Sequence, residues 1–154
     1  MLDTNRIQEI ASSLIPSFDG VYPINDLPAN HKKTYKMIIN TDPDNLPGQH
    51  WIAVLVREGN EGFVFDSFGY PPPLELQHWL NLRKIRWTSN SRRVQSENSL
   101  LCGHFCIYFL WFATANTLCN EHFNNIMNIL FPLNSYYPNY YDNIVRDFVT
   151  LFKI

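Results

Sequence analysis

The chain has 154 residues, of which 45% are hydrophobic and 17% charged. This length and composition predict a single folded domain over residues 1–154 and exclude an intrinsically disordered chain. The net charge of −2 and the pI near 6.2 do not match a dedicated nucleic-acid binder, whose domain usually has a pI above ~9. The apolar runs, such as Trp51–Val56 and Phe105–Ala113, are too short to cross a bilayer, and Met1–Asn5 lacks the start of a signal peptide. We therefore expect a protein that is neither in a membrane nor secreted.

The N-terminal third predicts one helix followed by two short strands. Apolar side chains recur at helical spacing over residues 4–14. Residues 17–35 are interrupted by prolines and predict irregular structure with one short strand. A second strand is expected at 36–40, and residues 41–48 have the composition of a loop.

The clearest strand signal lies in the middle of the chain. Residues 51–56 are apolar without alternation, which predicts a strand covered on both faces. A Gly-containing turn at 57–62 and a return strand at 63–68 complete a hairpin. A short helix over 74–82 follows three prolines, and the alternation at 84–88 predicts a half-exposed strand.

The C-terminal third predicts helices. After a polar loop at 89–99, a largely apolar helix is expected from Cys102 to about Leu118, buried on most sides. Two more helices follow at about 121–131 and 140–153. The apolar stripe of the last one is predicted to contain Ile144, Val145, Phe148, Leu151 and Phe152. Together these elements predict an α+β fold with helices around a mostly antiparallel sheet.

The cysteines indicate a reducing compartment. There are three, Cys102, Cys106 and Cys119, and an odd number crowded into one segment does not suit a disulfide framework. The Cys102-x-His104-x-Cys106 spacing resembles a zinc motif. On a helix, however, residues two apart point about 200° away from one another, so we expect no metal site.

Cys102 is the first candidate for chemistry. It precedes Gly103 at the start of the predicted apolar helix, where free N–H groups and the helix dipole stabilise a thiolate. Gly103 would leave room beside the sulfur for a substrate carbonyl. On position alone, a buried structural cysteine is an equally good interpretation. Cys106 and Cys119 are expected to lie in the core.

A nucleophilic cysteine needs a base, and His50 is the best placed of five histidines. It stands at the entrance of the central strand, whereas His104 points elsewhere on the helix. The polar surroundings of the others predict surface positions for His31, His78 and His122. Asp66 lies among apolar residues in the return strand and should have a partner, because an unpaired buried carboxylate is costly. A pairing of residue 52 with 66, centred on Gly59, would put His50 and Asp66 on the same face of the sheet, whereas a pairing of 53 with 66 would put them on opposite faces.

Gln95, seven residues before Cys102, is the fourth candidate. Its amide could donate to an oxyanion together with the backbone N–H of Cys102. A solvated loop residue is the alternative interpretation.

Several blocks of the sequence resemble the adenovirus protease family, adenain, over roughly residues 4–115. They are Gly48-Gln49-His50-Trp51, Phe65-Asp66-Ser67-Phe68-Gly69-Tyr70 and Val94–Cys106. The chain order of histidine, acid, glutamine and cysteine is similar too. The wider clan includes the proteases specific for SUMO and ubiquitin-like proteins, which use Asp as the acid.

The resemblance implies a papain-like cysteine protease core with the nucleophile at the N-terminus of a buried central helix. It implies Cys102 as the nucleophile, His50 as the general base and Asp66 as the residue that orients His50. It implies Gln95 and the Cys102 N–H as the oxyanion hole. The implied activity is that of an endopeptidase acting at Gly-containing sites to mature viral or virus-like-element capsid or core precursors. An isopeptidase acting on ubiquitin-like modifiers and an inactive binding module remain the alternatives.

Adenain activation by a disulfide-linked peptide and by DNA is also implied, but this chain departs from the pattern. It has Asp66 where adenain has Glu, and no cysteine from 67 to 101 to bond an activating peptide, so we expect no required cofactor. A monomer located in the virion and the host nucleus or cytoplasm is expected. A weak nucleic-acid contact would use the basic cluster Arg83, Lys84, Arg86, Arg92 and Arg93, for which ordinary solvated surface is the main alternative.

Overall fold

The computed structural model describes residues 1–42, 50–132 and 139–152. These residues form a five-stranded sheet with helices on both faces, and the strands lie side by side in chain order. The strands are β1 (Gly20–Pro23), β2 (Tyr35–Asn40), β3 (Trp51–Arg57), β4 (Glu61–Phe65) and β5 (Arg86–Ser89). The helices are α1 (Thr4–Leu14), α2 (Leu74–Leu82), α3 (Cys102–Ala113), α4 (Phe123–Leu130) and α5 (Tyr140–Leu151). The predicted α+β fold is confirmed.

The sheet is antiparallel in its centre and parallel at both edges. β3 pairs antiparallel with β4, as the predicted hairpin requires, and also with β2, whereas β1 joins β2 and β5 joins β4 in the parallel sense. Parallel neighbours need a crossover connection, and α2 supplies one between β4 and β5. The antiparallel prediction rested on the hairpin and could not show the direction of the short edge strands.

The central strand β3 is covered on both faces, as its continuous apolar sequence predicts. Trp51, Ala53 and Leu55 pack into the core formed with α1, α3, α4 and α5. The alternate residues of β3 pack on the other face, against α2. The alternation of side chains along a strand thus divides the protein into two cores.

The apolar helix α3 is shorter than predicted. It ends at Ala113, and the Thr114 hydroxyl donates to the Leu110 carbonyl oxygen at 2.6 Å. The chain then turns, with the Cys119 N–H donating to the Ala115 carbonyl oxygen at 2.9 Å. Polar side chains that bond to nearby backbone favour turns over helix, and the sequence after Ala113 is rich in Thr and Asn.

The buried face of α5 also differs from the predicted stripe. Leu151 is 80% exposed and Ile144 is 37% exposed, while Tyr141, Val145 and Val149 are buried. The buried residues follow an i, i+4 row, which is one of the faces that a helix presents. Apolar periodicity alone did not separate this row from the neighbouring one.

The loop predicted at 41–48 lies largely outside the described residues. The hairpin turn is tighter than predicted, because Arg57 still pairs with Glu61 across the ladder. β4 ends at Phe65, where a turn closed by the Gly69 N–H and the Asp66 carbonyl oxygen begins. Gly69 has φ +74°, and a Cβ there would lie 2.6 Å from the Ser91 carbonyl oxygen, so this turn requires glycine.

Candidate active site

Cys102 is the first residue of α3 and is only 3% exposed. At this position its backbone N–H has no partner within the helix, and the helix dipole favours a negative sulfur. Cys106 lies one turn further on and is fully buried, as predicted. Burial raises the pKa of the Cys106 thiol well above its ordinary value, and the nearby Cys102 and Asp66 charges raise it further. Cys106 is therefore a poor nucleophile at neutral pH.

The prediction that Cys119 lies in the core is wrong. Cys119 is half-buried in the turn after α3, because the helix that was expected to enclose it ends earlier. His31, His78 and His122 are exposed, as predicted, and His104 is buried within α3.

The expectation that Gly103 leaves room for a substrate carbonyl is wrong, because the space beside Gly103 is filled by packed side chains. A Cβ at Gly103 would lie 2.9 Å from Ile7 Cδ1 and 3.6 Å from Trp51 Cδ1. The missing side chain therefore lets α3 approach α1 and the start of β3. This close approach sets the position of the helix end that carries Cys102.

Gly103→Ala should destabilise the fold by about 1–3 kcal/mol, the usual cost of adding a methyl group to a packed core. Combining it with Ile7→Val, which removes the clashing Cδ1, should recover part of that loss. Urea denaturation of both single variants and the double variant measures the coupling. A fully stable Gly103→Ala protein that lost thiol reactivity would instead place the methyl group on the substrate side.

His50 and Asp66 meet at the end of the hairpin. Ala53 pairs with Phe65, and this register continues to 52 opposite 66, the pairing that would place the two side chains together. His50 Nε2 lies 2.9 Å from Asp66 Oδ1. The same carboxylate oxygen accepts the Phe68 N–H at 2.8 Å. Asp66 is 5% exposed, and it has the partner that its burial requires.

Burial and two neighbouring groups determine the charge of His50. Burial lowers the pKa of its imidazole, but the hydrogen bonds and charges of Asp66 and Cys102 outweigh burial and raise the pKa to about 9. Because Nε2 is occupied by Asp66, Nδ1 is the nitrogen that remains for Cys102. The raised pKa keeps the imidazole protonated at neutral pH, and the groups that stabilise its charge are the Asp66 carboxylate and the Cys102 side chain.

Asn90 fixes the backbone of Asp66. The Asp66 N–H donates to Asn90 Oδ1 at 2.9 Å, and Asn90 Nδ2 donates to the Asp66 carbonyl oxygen at 2.6 Å. Asn90 is itself buried. Sequence analysis missed it, because an asparagine in a polar loop ordinarily indicates a solvated turn.

Gln95 is buried beside the residue that follows Asp66. The Ser67 hydroxyl donates to Gln95 Oε1 at 2.5 Å, and the Ser67 carbonyl oxygen accepts the Val94 and Gln95 N–H groups. Gln95 Nε2 donates to the Ser99 carbonyl oxygen at 2.8 Å and to the Ser99 hydroxyl at 3.2 Å. Both N–H groups of the amide therefore have protein partners, and the longer bond, to the hydroxyl, is the one that a substrate oxygen would have to replace. The solvated-loop interpretation does not fit a residue that is 2% exposed.

Comparison with known proteins identifies relatives among viral proteases. A protease of bovine adenovirus 7 is 30% identical to this chain, with 53% of this chain and 48% of that protein covered. Two crystal structures of the ASFV protease cover 81% of this chain, with TM-scores of 0.55 and 0.50 and identities of 22% and 20%. In sequence the chain is similar to an adenovirus protease, and in fold it is similar to the ASFV protease. No family model matches it. The chain spans about half the length of each of these relatives.

One further contact near the candidate site was missed by sequence analysis. Asp142 in the first turn of α5 is buried and accepts the Ser96 N–H at 3.1 Å and the Ser96 hydroxyl. Helix α5 thereby holds the loop immediately after Gln95. An acidic residue in the first turn of a helix ordinarily indicates a favourable charge at the helix terminus, so no sequence signal placed Asp142 near the site.

Two of the five residues of the basic cluster hold the fold together. Arg83 stacks on Trp79 and donates to the Pro28 carbonyl oxygen. Arg92 donates to the carbonyl oxygens of Met127 and Phe131. Lys84 and Arg86 are exposed. A nucleic-acid contact through these residues remains a prediction.

Across 1–42, 50–132 and 139–152, no three His, Cys, Asp or Glu side chains are grouped so that they could hold a metal ion. Among the helices in those same ranges, none combines the length and apolarity that a membrane span requires. A cavity of about 470 Å³ lies at the far end of β3 from His50, lined in part by Lys36, Arg57 and Cys119.

Proposed function

We propose that this chain is a cysteine endopeptidase that hydrolyses peptide bonds at Gly-containing sites and matures capsid or core precursors of a virus or virus-like element. The observation that carries the proposal is the placement of His50 between Asp66 and Cys102, with Cys102 at a helix N-terminus. The similarity to viral proteases supports the same conclusion.

The arrangement suits acyl transfer through a thioester. The Cys102 thiolate attacks the scissile carbonyl carbon, forming a carbon–sulfur bond as the carbonyl electrons move to oxygen. The Cys102 N–H and the Gln95 amide donate to that oxyanion. His50 gives its proton to the leaving amine, the carbon–nitrogen bond breaks, and a thioester remains. Water then attacks the thioester carbonyl carbon while His50 accepts its proton, and the carboxylic acid product and the thiol are released.

Gln95→Ala should lower kcat by about 10²–10³-fold, the usual cost of losing one oxyanion donor. KM should change little, because the hydrogen bond strengthens only as charge develops on the substrate oxygen. Alkylation of Cys102 by iodoacetamide should stay near the wild-type rate, since that reaction forms no oxyanion. Steady-state kinetics measure kcat and KM, and iodoacetamide labelling measures the alkylation rate. An unchanged kcat would show that Gln95 is not part of the site.

Substrate profiling tests the function itself. A peptide library containing Gly-Gly and Gly-X-Gly sites, assayed with and without DNA, should yield cleavage after glycine-containing motifs by the wild type. Ubiquitin-like proteins with a C-terminal electrophile test the isopeptidase alternative, because such an enzyme would label with them and cleave short peptides poorly. If the protein neither cleaves the peptides nor labels with the ubiquitin-like probes, and Cys102 has only ordinary thiol reactivity, the result would support an inactive binding module.

A further inference from the structure

The surface next to His50 is aromatic and partly open. The Phe68 ring stacks on the imidazole, with ring centres 5.1 Å apart and planes at 29°. The Tyr70 ring lies 6.3 Å from the imidazole and 5.7 Å from Phe68, and Tyr70 is 57% exposed. An exposed aromatic ring packed beside a candidate catalytic group is positioned to contact whatever binds there.

Arg93 adds a positive charge to this surface. Its guanidinium carbon lies 4.7 Å from the centre of the Phe68 ring, and its Nε donates to the Gln95 carbonyl oxygen at 2.9 Å. Within the described ranges, no carboxylate pairs with Arg93 and its two terminal nitrogens donate to no other group. By contrast, the terminal nitrogens of Arg57, Arg83 and Arg92 bond to backbone carbonyl oxygens. Arg93 therefore presents an oriented and unused pair of donors to solvent.

The chemistry of the proposed reaction places one half of the substrate here. His50 must protonate the leaving amine, so the residues that follow the scissile bond lie on the His50 side of the site. The contacts through Phe68 put the Arg93 guanidinium at most about 10 Å from the imidazole, the span of about three extended residues. A side chain within the first three positions after the scissile bond can therefore reach Arg93.

We propose that Phe68, Tyr70 and Arg93 form a subsite for the leaving half of the substrate, and that this subsite selects an acidic side chain there. The inference rests on the proposed proteolytic function and adds the substrate class. A guanidinium held against an aromatic ring keeps its planar fork oriented, and that fork matches a carboxylate. Tyr70 supplies an apolar surface for the adjacent part of the peptide chain.

A peptide panel tests the subsite. Each peptide carries a Gly-Gly or Gly-X-Gly motif before the scissile bond and Glu, Gln or Lys at one of the three positions after it. The wild type should cleave a Glu peptide with a kcat/KM about fivefold above its Gln counterpart, the upper range for an exposed ion pair, and the Lys peptide should be the poorest. The preference should shrink as the salt concentration rises.

Variants of Arg93 separate selectivity from structural support. Arg93 also donates to the Gln95 carbonyl oxygen, so its loss will slow the cleavage of every peptide. The informative quantity is therefore the ratio of kcat/KM for the Glu peptide to kcat/KM for the Gln peptide. That ratio should fall to about one in Arg93→Gln, and Arg93→Glu should favour the Lys peptide. Arg86→Gln is the matched control, because Arg86 is an exposed arginine whose contact is with Gly59 in the distant hairpin turn, and it should keep the wild-type ratio.

The outcomes separate this inference from the function on which it rests. Cleavage of the panel with equal rates for Glu and Gln peptides, or a preference that survives in Arg93→Gln, overturns the acidic subsite and leaves the protease intact. Absence of cleavage by the wild type across the panel overturns the proposed function and the subsite with it.

Discussion

Cys102→Ala is expected to abolish proteolysis, with kcat reduced by about 10⁶-fold, the scale for removing a nucleophile that works as a unit with its base. No other thiol can replace it. Cys106 has a strongly raised pKa in the core, and Cys119 lies in a turn after the far end of α3. The fold should survive, because the substitution removes one sulfur atom from a position at the beginning of the helix.

Cys106→Ala is the matched control for this variant. It changes the same residue type one turn along α3, and it should keep turnover within a few-fold of the wild type while lowering thermal stability modestly. Peptide cleavage, circular dichroism and mass spectrometry after iodoacetamide treatment measure activity, folding and the labelled site. Retained cleavage by Cys102→Ala together with an inactive but folded Cys106→Ala would show that the nucleophile is misassigned.

His50→Ala is expected to lower kcat/KM by about 10³–10⁴-fold, in the upper range for general acid–base catalysis, because the same side chain both stabilises the thiolate and moves the proton. Asp66→Asn should be milder, about 10- to 100-fold at pH 7. Asparagine can still accept the Phe68 N–H and the His50 N–H through its oxygen, so the variant removes mainly the charge. Equal losses in the two variants would contradict these roles.

The pH dependence of kcat/KM is a separate test of the roles of His50 and Asp66. The Asp66 carboxylate and Cys102 raise the pKa of His50 to about 9 against the effect of burial, so the imidazolium persists through neutral pH and is lost as the pH rises through that value. The kcat/KM of the wild type should therefore fall above about pH 9. Asp66→Asn removes a group that raises the pKa, so the alkaline fall should begin at lower pH.

An NMR titration of the His50 ring protons measures this shift without any substrate. In Asp66→Asn, the midpoint should move down from the wild-type value. Asn90→Ala is a useful comparison, because it disturbs the backbone of Asp66 while keeping the carboxylate. A midpoint near 6.5 in the wild type would mean that Asp66 and Cys102 do not stabilise the imidazolium.

The sequence was most informative where the responsible forces are local. The apolar run at 51–56 predicted a strand buried on both faces. A turn centred on Gly59 permitted the register that brings His50 to Asp66, and the structure decided between that register and the one shifted by one residue. The buried strand and the permitted register follow from side-chain alternation and turn geometry within one hairpin. The short helix at 74–82 was predicted with its observed bounds, because prolines mark its beginning.

The sequence also determined, by itself, which residues carry the candidate chemistry. His50, Asp66, Gln95 and Cys102 were singled out by residue type, order and spacing, and the structure brings His50 next to Asp66 and Cys102. Their catalytic roles are proposals that the experiments above test. These residues could be proposed from the sequence because a buried acid needs a partner and a helix N-terminus stabilises an anion wherever it occurs.

Only the tertiary structure decided how these residues are held. Asn90 bonds to the backbone of Asp66, Ser67 orients the Gln95 amide, and Asp142 anchors Ser96 across 46 positions of sequence. The packing of Gly103 against Ile7 and the parallel pairing of the edge strands were also decided only by the tertiary structure. Each of these depends on which distant segments come together when two cores form on opposite faces of one sheet. Such contacts leave no periodic pattern in the chain, because the partners of a side chain across the core are set by packing and not by its neighbours in sequence.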